Sequence, residues 1–293
     1  MSILNTTPDS FSDGGSNSPE DLESLKAVAA AHIAAGASII DVGGQSSRPN
    51  APDISPEEEI RRILPAIKAI QALPEASGIA ISVDTYRAAV AQAAVEAGAH
   101  IVNDISAGQL DQNMLSTIAK LGCTYTMMHM RGTPATMMSE EHCSYPDGVF
   151  STVQTELSTR IIAALEAGIR RWRIITDPGI GFAKTQDQNV ELLQSLASRG
   201  GWIGSLHRVP MLVGTSRKGF IGSITGVKEP KERILGTAAT VTAAVAGGAD
   251  IVRVHDVREM AQVVKMADAI YRRRHGIGQR VWKARMKQSL ARD

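Results

Sequence analysis

The chain has 293 residues, 43% of them hydrophobic, and a formal net charge of +1. That is enough for a sizeable core and too near neutral to single out a polyanionic partner. Two cysteines, Cys123 and Cys143, exclude a disulfide framework and a cysteine-built zinc site. No signal peptide and no apolar run near the ~18 residues of a membrane span is legible, so a protein without a membrane partner is expected inside the cell, in the cytoplasm or a mitochondrion.

The charge is uneven. Residues 272–293 carry eight Lys/Arg and one acid, which leaves 23 basic and 29 acidic residues elsewhere. A basic tail of this kind reads as a solvated terminal helix, and nucleic acid is not an expected partner.

In chain order, Ile3-Leu4-Asn5 is a short apolar strand ending in an amide. Thr6 to Gly15, rich in hydroxyls, glycine and turn formers, reads as a long mobile loop. A helix from about Pro19 to Ala35 follows, ended by Gly36. The second strand, Ser38 to Gly44, runs into the polar loop Gln45-Ser46-Ser47-Arg48-Pro49. Ser55, Pro56 and Glu58 predict a helix start with a capping box. Strand three is Ile79 to Asp84, with a helix from about Arg87 to Ala97, and strand four is His100 to Asp104. Strand five is Cys123 to Met130, followed by an insertion and a helix from about Val149 to Ala167. Strand six is Arg173 to Asp177, strand seven Val209 to Val213, and strand eight Asp250 to His255. Helices are expected from about Pro230 to Ala246 and Asp256 to Tyr271, the last with Val257, Met260, Ala261 and Val264 at helical spacing.

Eight strands alternating with helices, with no linker, predict an α/β fold: a single (β/α)8 barrel over 1–293, with 272–293 as its basic tail. The strand C-terminal ends then converge on one face, bringing together Asn5, Asp41, Asp84, Asn103-Asp104, His129, Asp177, Ser216-Arg217-Lys218 and Arg253-Val254-His255. Asp84, Asn103 and Asp177 could accept hydrogen bonds from a planar heterocycle rich in N–H donors, with Lys218 balancing charge; strand-end capping is the alternative for each alone. Arg48, Arg253 and His255 could surround an anion near the last helix N-terminus, although a lone histidine there is often only a cap. Asn5 offers a neutral oxygen to Mg²⁺, which takes few protein ligands when it shares substrate phosphates. Gly179-Ile180-Gly181 lacks the third glycine of a dinucleotide motif, and no Ser/His/Asp triad can be picked out. Met127, Met128 and Met130 read as core or pocket lining, His129 as a satisfied strand histidine, and His32 and His207 as surface residues.

These segments, taken together, resemble the dihydropteroate synthase family. The resemblance rests on Ile3-Leu4-Asn5 through Gly14-Gly15, Asp41-Val42-Gly43-Gly44-Gln45-Ser46-Ser47-Arg48-Pro49, Ser82-Val83-Asp84-Thr85, Asn103-Asp104-Ile105 and Met128-His129-Met130. It continues through Asp177-Pro178-Gly179-Ile180-Gly181-Phe182, Gly214-Thr215-Ser216-Arg217-Lys218 and Arg253-Val254-His255-Asp256, covering essentially the whole chain. It implies a transferase of folate synthesis that condenses p-aminobenzoate with 6-hydroxymethyl-7,8-dihydropterin pyrophosphate and releases pyrophosphate. Asp84, Asn103, Met127, Asp177, Lys218 and Arg253 would hold the pterin, and Asn5, Arg48, Arg253 and His255 the pyrophosphate with its Mg²⁺. Ser47, Pro49, Phe182, Lys184 and Ser216 would face p-aminobenzoate, the side on which sulfonamides bind in this family. Asp84, Lys218, Arg253, His255 and Asp177 would carry the chemistry, with the 6–15 loop as a lid. A homodimer, and fusion to other folate-pathway domains as in eukaryotic members, are further expectations.

Two departures stand out. Ser47 occupies a position usually held by Thr, and strand one begins almost at Met1, as in a first strand shortened at its start. Two other readings remain open. One is a methyltetrahydrofolate-type pterin methyltransferase, which would not need Ser216-Arg217-Lys218 beside Arg253 and His255 for a pyrophosphate; the other is a catalytically silent barrel.

Overall fold

The computed structural model describes residues 1–6, 21–46, 53–196 and 209–272. The expected lid beyond Thr6, the turn holding Ser47, Arg48 and Pro49, His207 and the tail beyond Arg272 lie outside the described residues.

Strands and helices alternate as β1 (Ser2–Asn5), α1 (Leu22–Ala34), β2 (Ile39–Gly43), α2 (Pro56–Gln71), β3 (Ala80–Asp84), α3 (Ala88–Glu96), β4 (Ile101–Asp104), α4 (Met114–Leu121), β5 (Thr124–Met128), α5 (Val149–Glu166), β6 (Ile174–Asp177) and α6 (Gln186–Leu196). They continue as β7 (Leu212–Val213), α7 (Gly219–Thr225), α8 (Ile234–Ala246), β8 (Ile251–Val252) and α9 (Val257–Tyr271). Strands β1 to β6 pair in parallel in sequence order, and β7 pairs with β8. Two single bridges close the ring: Thr176 to Met211 between β6 and β7, and Ser2 to Val254 between β8 and β1. Backbone bonds from Thr176 N to Pro210 O (2.9 Å) and from Ile3 N to Val254 O (3.1 Å) reinforce them. The fold is the expected (β/α)8 barrel.

Period-two alternation gives every strand two faces. Leu4, Val42, Val83, Val102, Tyr125 and Ile174 are register partners, and all are buried in the main core cluster with the helices. The alternate row (Asn5, Gly43, Asp84, Asn103, Thr126 and Ile175) turns into the barrel. Apolar side chains therefore glue strands to helices, while the inner row is free to be polar.

Local signals explain the element ends. Asp21 caps α1, its carboxylate accepting from Glu23 N (3.1 Å) and Ser24 Oγ (2.6 Å), so the helix begins three residues later than Pro19. Gly36, at φ +104°, ends it as expected, with Ala37 N bonded back to His32 O. The capping box of α2 is only half formed. Ser55 Oγ accepts from Glu58 N at 3.2 Å, but the Glu58 carboxylate turns to Arg61 and Arg62 instead of the cap amide. Two cations on one face outbid a neutral N–H.

Strand seven is shorter than expected because Pro210 has no N–H for the ladder. Pro230 opens a 3₁₀ turn, Pro230–Glu232, and α8 starts only at Ile234. Helices α4, α6 and α7 are additions to the sequence reading. His32 is half-buried and not a surface residue; its Nδ1 is enclosed, and burial lowers its basicity. No helix among the described residues is long and apolar enough to cross a membrane.

Candidate functional site

The inner row ends at the barrel mouth in a polar network. Arg253, one residue past β8, reaches across it. Its Nε donates to Asp41 Oδ2 at 2.6 Å, and a terminal nitrogen donates to Asp84 Oδ2 at 2.6 Å. Asn103 Nδ2 donates to the same Asp41 oxygen at 3.0 Å. Burial pushes the Asp84 carboxyl up to about 7 even though Arg253 pulls against it, and Asp41 adds to the rise. The Arg253 guanidinium is weakened by burial, but Asp41 and Asp84 more than reverse this and hold it firmly charged.

Asp177 ends β6 and is buried; its Oδ1 accepts from Gly179 N at 2.7 Å. Burial raises this carboxyl too, against the pull of Lys218. Lys218 directs its ammonium to the carbonyl of Ile180 and lies 4.6 Å from the centroid of the Phe182 ring, a cation–π contact. Burial brings Lys218 down to about 8, with Asp177 opposing the shift. Gly181 has φ +81°, a backbone that side chains rarely adopt, and a Cβ there would also press on the Lys218 side chain at 2.7 Å. Ser216 Oγ meets His255 Nδ1 at 3.0 Å and accepts from His255 N at 3.1 Å, joining the β7 and β8 turns. Between these residues Arg217, at φ +60°, pairs with Asp256 (Nε to Oδ2, 3.0 Å). Asn5 is half-buried, and Gly43 keeps the space between Asn5 Oδ1 and Asp84 free of any side chain.

Asn5, Asp84, Asn103, Asp177, Ser216, Lys218, Arg253 and His255 thus gather at one mouth. Three expectations change. Met127 is register-paired with Asp104 and Thr176 and packs, fully buried, on the helix side of the sheet. Met128, paired with Asp177, is the methionine that turns inward, and it packs in a small apolar cluster beside Phe182. One step of strand alternation separates the two. Asp104 likewise turns away from the mouth, accepting from Ser106 N and Oγ (2.8 Å each), Gly108 N (2.7 Å) and Tyr125 Oη (2.7 Å) to hold a turn.

The third change is Lys184. It is 1% exposed, and its ammonium is taken by His129 Nδ1 (3.0 Å), Gly179 O (3.0 Å) and Phe182 O (2.9 Å). It is the post around which the 178–184 loop folds, not an open contact. The loop needs such a post: Gly179, Gly181 and Ala183 all have left-handed φ values of +68°, +81° and +50°, the last unusual for a residue with a side chain. Tyr145 Oη adds a bond to Ala183 O at 2.8 Å. His129 passes the interaction on, from Lys184 at Nδ1 to Glu156 Oε2 at Nε2 (2.8 Å), with Arg131 also on Glu156.

Burial, with Lys184 close by, lowers His129 to about 4, so the ring is neutral and carries its proton on Nε2. Lys184 falls to about 7 for the same first reason, burial. Burial would raise Glu156, but bonds from His129 and Arg131 overcome it and hold the acid at about 2. A histidine that must stay neutral when folded gives stability that is lost as pH falls from ~6.5 towards ~4. Glu156 extends the loss below ~4.5. Chemical denaturation of His129→Gln should therefore show a flatter decline between pH 6.5 and 4, by up to about 3 kcal/mol at the acid end; an unchanged slope would assign the acid sensitivity elsewhere.

Asp41 and Met128 are the residues that sequence reasoning underused. Both could be found by counting two residues along a strand from a neighbour already facing inward. Among the described residues no group of three His, Cys, Asp or Glu side chains could hold a metal ion.

The model of a pterin binding enzyme matches residues 1–255. A mitochondrial folate synthesis bifunctional protein of Arabidopsis thaliana is 44% identical over 95% of this chain, which spans about half (50%) of its length. A dihydropteroate synthase of Synechocystis is 46% identical over 93% of this chain and 90% of its own. A solved dihydropteroate synthase of Clostridium difficile, in the presence of pteroic acid, superposes with a TM-score of 0.82 at 39% identity, covering 93% of this chain and 96% of that one. With the family model matching residues 1–255 and nearly the whole chain matched in sequence and fold by these proteins, the chain belongs to the pterin binding enzyme family.

Proposed function

We propose that this barrel is a dihydropteroate synthase: the amine of p-aminobenzoate attacks the methylene carbon of 6-hydroxymethyl-7,8-dihydropterin pyrophosphate, a C–N bond forms, the C–O bond breaks, and pyrophosphate leaves. The observation that carries the reading is the meeting, across one mouth, of Asp84, Asn103 and Asp177, with Lys218 near Asp177, and of Arg253 and His255 from the turn after the last strand. Acceptors on one side suit the donor edge of a pterin; Arg253 and His255 on the other suit the polyanionic pyrophosphate as it leaves.

In this reading Asp84, Asn103, Asp177 and Lys218 hold the pterin, with Met128 below the ring and Arg253 stacked on it. Asn5, Arg48, Arg253 and His255 hold the pyrophosphate. Ser47, Pro49, Phe182 and Ser216 face the aminobenzoate, and Lys184 supports Phe182 from behind. Departure of pyrophosphate leaves positive charge on the pterin methylene, which the Asp84 and Asp177 carboxylates stabilise. The arylamine is neutral at pH 7, so no strong base is needed; its proton is lost to solvent after attack. Asn5 fits Mg²⁺ of the kind carried in by a substrate, because one neutral oxygen beside an open cradle leaves the other ligand positions to phosphate and water. Bound there, the ion would neutralise charge on the leaving group.

A homodimer goes with this proposal, and the exposed apolar side chains Leu235 (85% exposed) on α8 and Met266, Ile270 and Tyr271 on the adjoining α9 are compatible with it. So do an intracellular setting, cytoplasmic or mitochondrial, and fusion to other folate-pathway domains in the whole protein.

Mixing the chain with both substrates tests the reading. Pyrophosphate and dihydropteroate should appear in equal amounts, and neither should form when p-aminobenzoate is omitted. Methyl transfer from methyltetrahydrofolate without pyrophosphate would favour the methyltransferase reading, and no turnover of any kind the silent barrel.

A further inference from the structure

Asp41 lies one layer below the mouth, paired in register with Ile3 and Ser82, and is 0% exposed. It cannot touch a ligand lying against Asp84 and Asn103, yet two mouth residues from opposite sides of the ring converge on its Oδ2: Asn103 from β4 and Arg253 from beyond β8. Its Oδ1 has no partner among the described residues. A buried carboxylate placed under a site, with one oxygen serving two mouth residues and the other unpartnered, calls for an explanation.

The explanation lies in what Asn103 is. Asp84 and Asp177, when ionised, can only accept hydrogen bonds. An asparagine amide can present either polarity, and a flip of 180° exchanges them. A carboxylate beneath it removes the choice: only the NH₂ can face Asp41, so Oδ1 faces the other way. Among the described residues Asn103 Oδ1 accepts no hydrogen bond, while Nδ2 donates to Asp41. The same carboxylate anchors the Nε of Arg253, leaving its terminal nitrogens at the level of Asp84.

We propose that Asp41 is a positioning residue that fixes the Asn103 amide with its oxygen towards the ligand and pins Arg253 above it, making the mouth selective for a ring edge that donates hydrogen bonds. The assignment rests on the pterin-binding reading above, and its test uses ring binding alone, so that turnover is not needed.

The probes are 6-hydroxymethylpterin and its 2-oxo counterpart, 6-hydroxymethyllumazine, which puts an acceptor where the pterin's 2-amino group donates. Titration calorimetry on the wild-type chain should show a strong preference for the pterin. In Asp41→Asn, checked for folding by its melting temperature, the Asn103 amide can turn, and the preference should shrink by roughly tenfold, the worth of one hydrogen bond. The swapped pair Asp41→Asn/Asn103→Asp keeps the net charge and rebuilds the bond with donor and acceptor exchanged. The new carboxylate still offers an oxygen to the ring, so the preference should return to within about threefold of wild type.

A folded Asp41→Asn with an undiminished preference overturns the proposal. Should Asp41→Asn not fold, the swap decides alone: retained preference supports the proposal, and lost preference overturns it. A wild-type chain that binds neither ring would overturn the pterin-binding reading together with this one.

Discussion

Replacing Arg253 with methionine is expected to lower kcat by about 10²–10³, the usual effect of removing one preorganised donor from a centre where negative charge develops. Methionine keeps the bulk of the side chain and discards its charge. Two consequences should separate in the data. Pterin pyrophosphate should lose much more affinity than pterin itself, because only the former carries the anion. The folded chain should also lose stability. Arg253 is ion-paired with Asp41, which is fully enclosed, and with Asp84. Breaking a buried pair costs about 3–5 kcal/mol. The guanidinium is 21% exposed, so a loss nearer 2–3 kcal/mol in urea unfolding is expected. Equal weakening of both ligands would remove Arg253 from the anion site, and unchanged stability would show that Asp41 finds another partner.

The second large effect is expected of Asp84→Asn. The amide keeps the shape but loses the charge and sets a donor where the pterin also donates. One charge-assisted bond is worth about 1.5–3 kcal/mol, a ten- to hundredfold effect. The transition state should suffer more than the ground state, since the ring gains positive charge only as pyrophosphate leaves. Near-normal kcat with a raised KM would reduce Asp84 to a binding group. The pH profile offers a second check. With its carboxyl pushed up to about 7 by burial, Asp84 should be a charged acceptor only above that pH, so activity should rise through pH 7 in wild type and that rise should vanish in the variant. Stability should change little, because the substitution also relieves the crowding of Asp84 against Asp41.

Much of this site was legible in the sequence because a barrel puts the ends of all its strands in one place. Asn5, Asp84, Asn103, Asp177, Ser216 and Lys218 each follow an apolar run, and eight such runs identify both the fold and the mouth. What escaped depends on single steps. Met127 and Met128 are equally apolar neighbours, and only the pairing of Met128 with Asp177 decides which turns inward. Asp41 was visible as a strand end, but its layer follows from its pairing with Ser82, not from its neighbours in sequence. Lys184 follows a phenylalanine and a glycine-rich turn, a setting that suggests a ligand contact; the backbone's left-handed path brings it under the loop instead. Helix α7, seven residues long, starts directly after the cationic turn and is too short for a periodic signal.

The way the ring closes has a further consequence. Strands β1 to β6 form one continuous ladder, whereas β7 and β8 join it by one bridge on each side. The acceptors Asn5, Asp84, Asn103 and Asp177 stand on or at the end of the long ladder; Ser216, Lys218, Arg253 and His255 all follow the short one. Arg253 to Asp41 and Asp84, and Lys218 to Ile180, are therefore clasps across the two joints as well as site contacts. A substrate that bridges acceptors and cations becomes one more clasp. Amide hydrogen exchange in β7 and β8 should be faster than in β2 to β5 and should slow selectively on saturation, since ligand at about a hundred times its Kd adds ~2.7 kcal/mol to every opening that separates the two halves of its site.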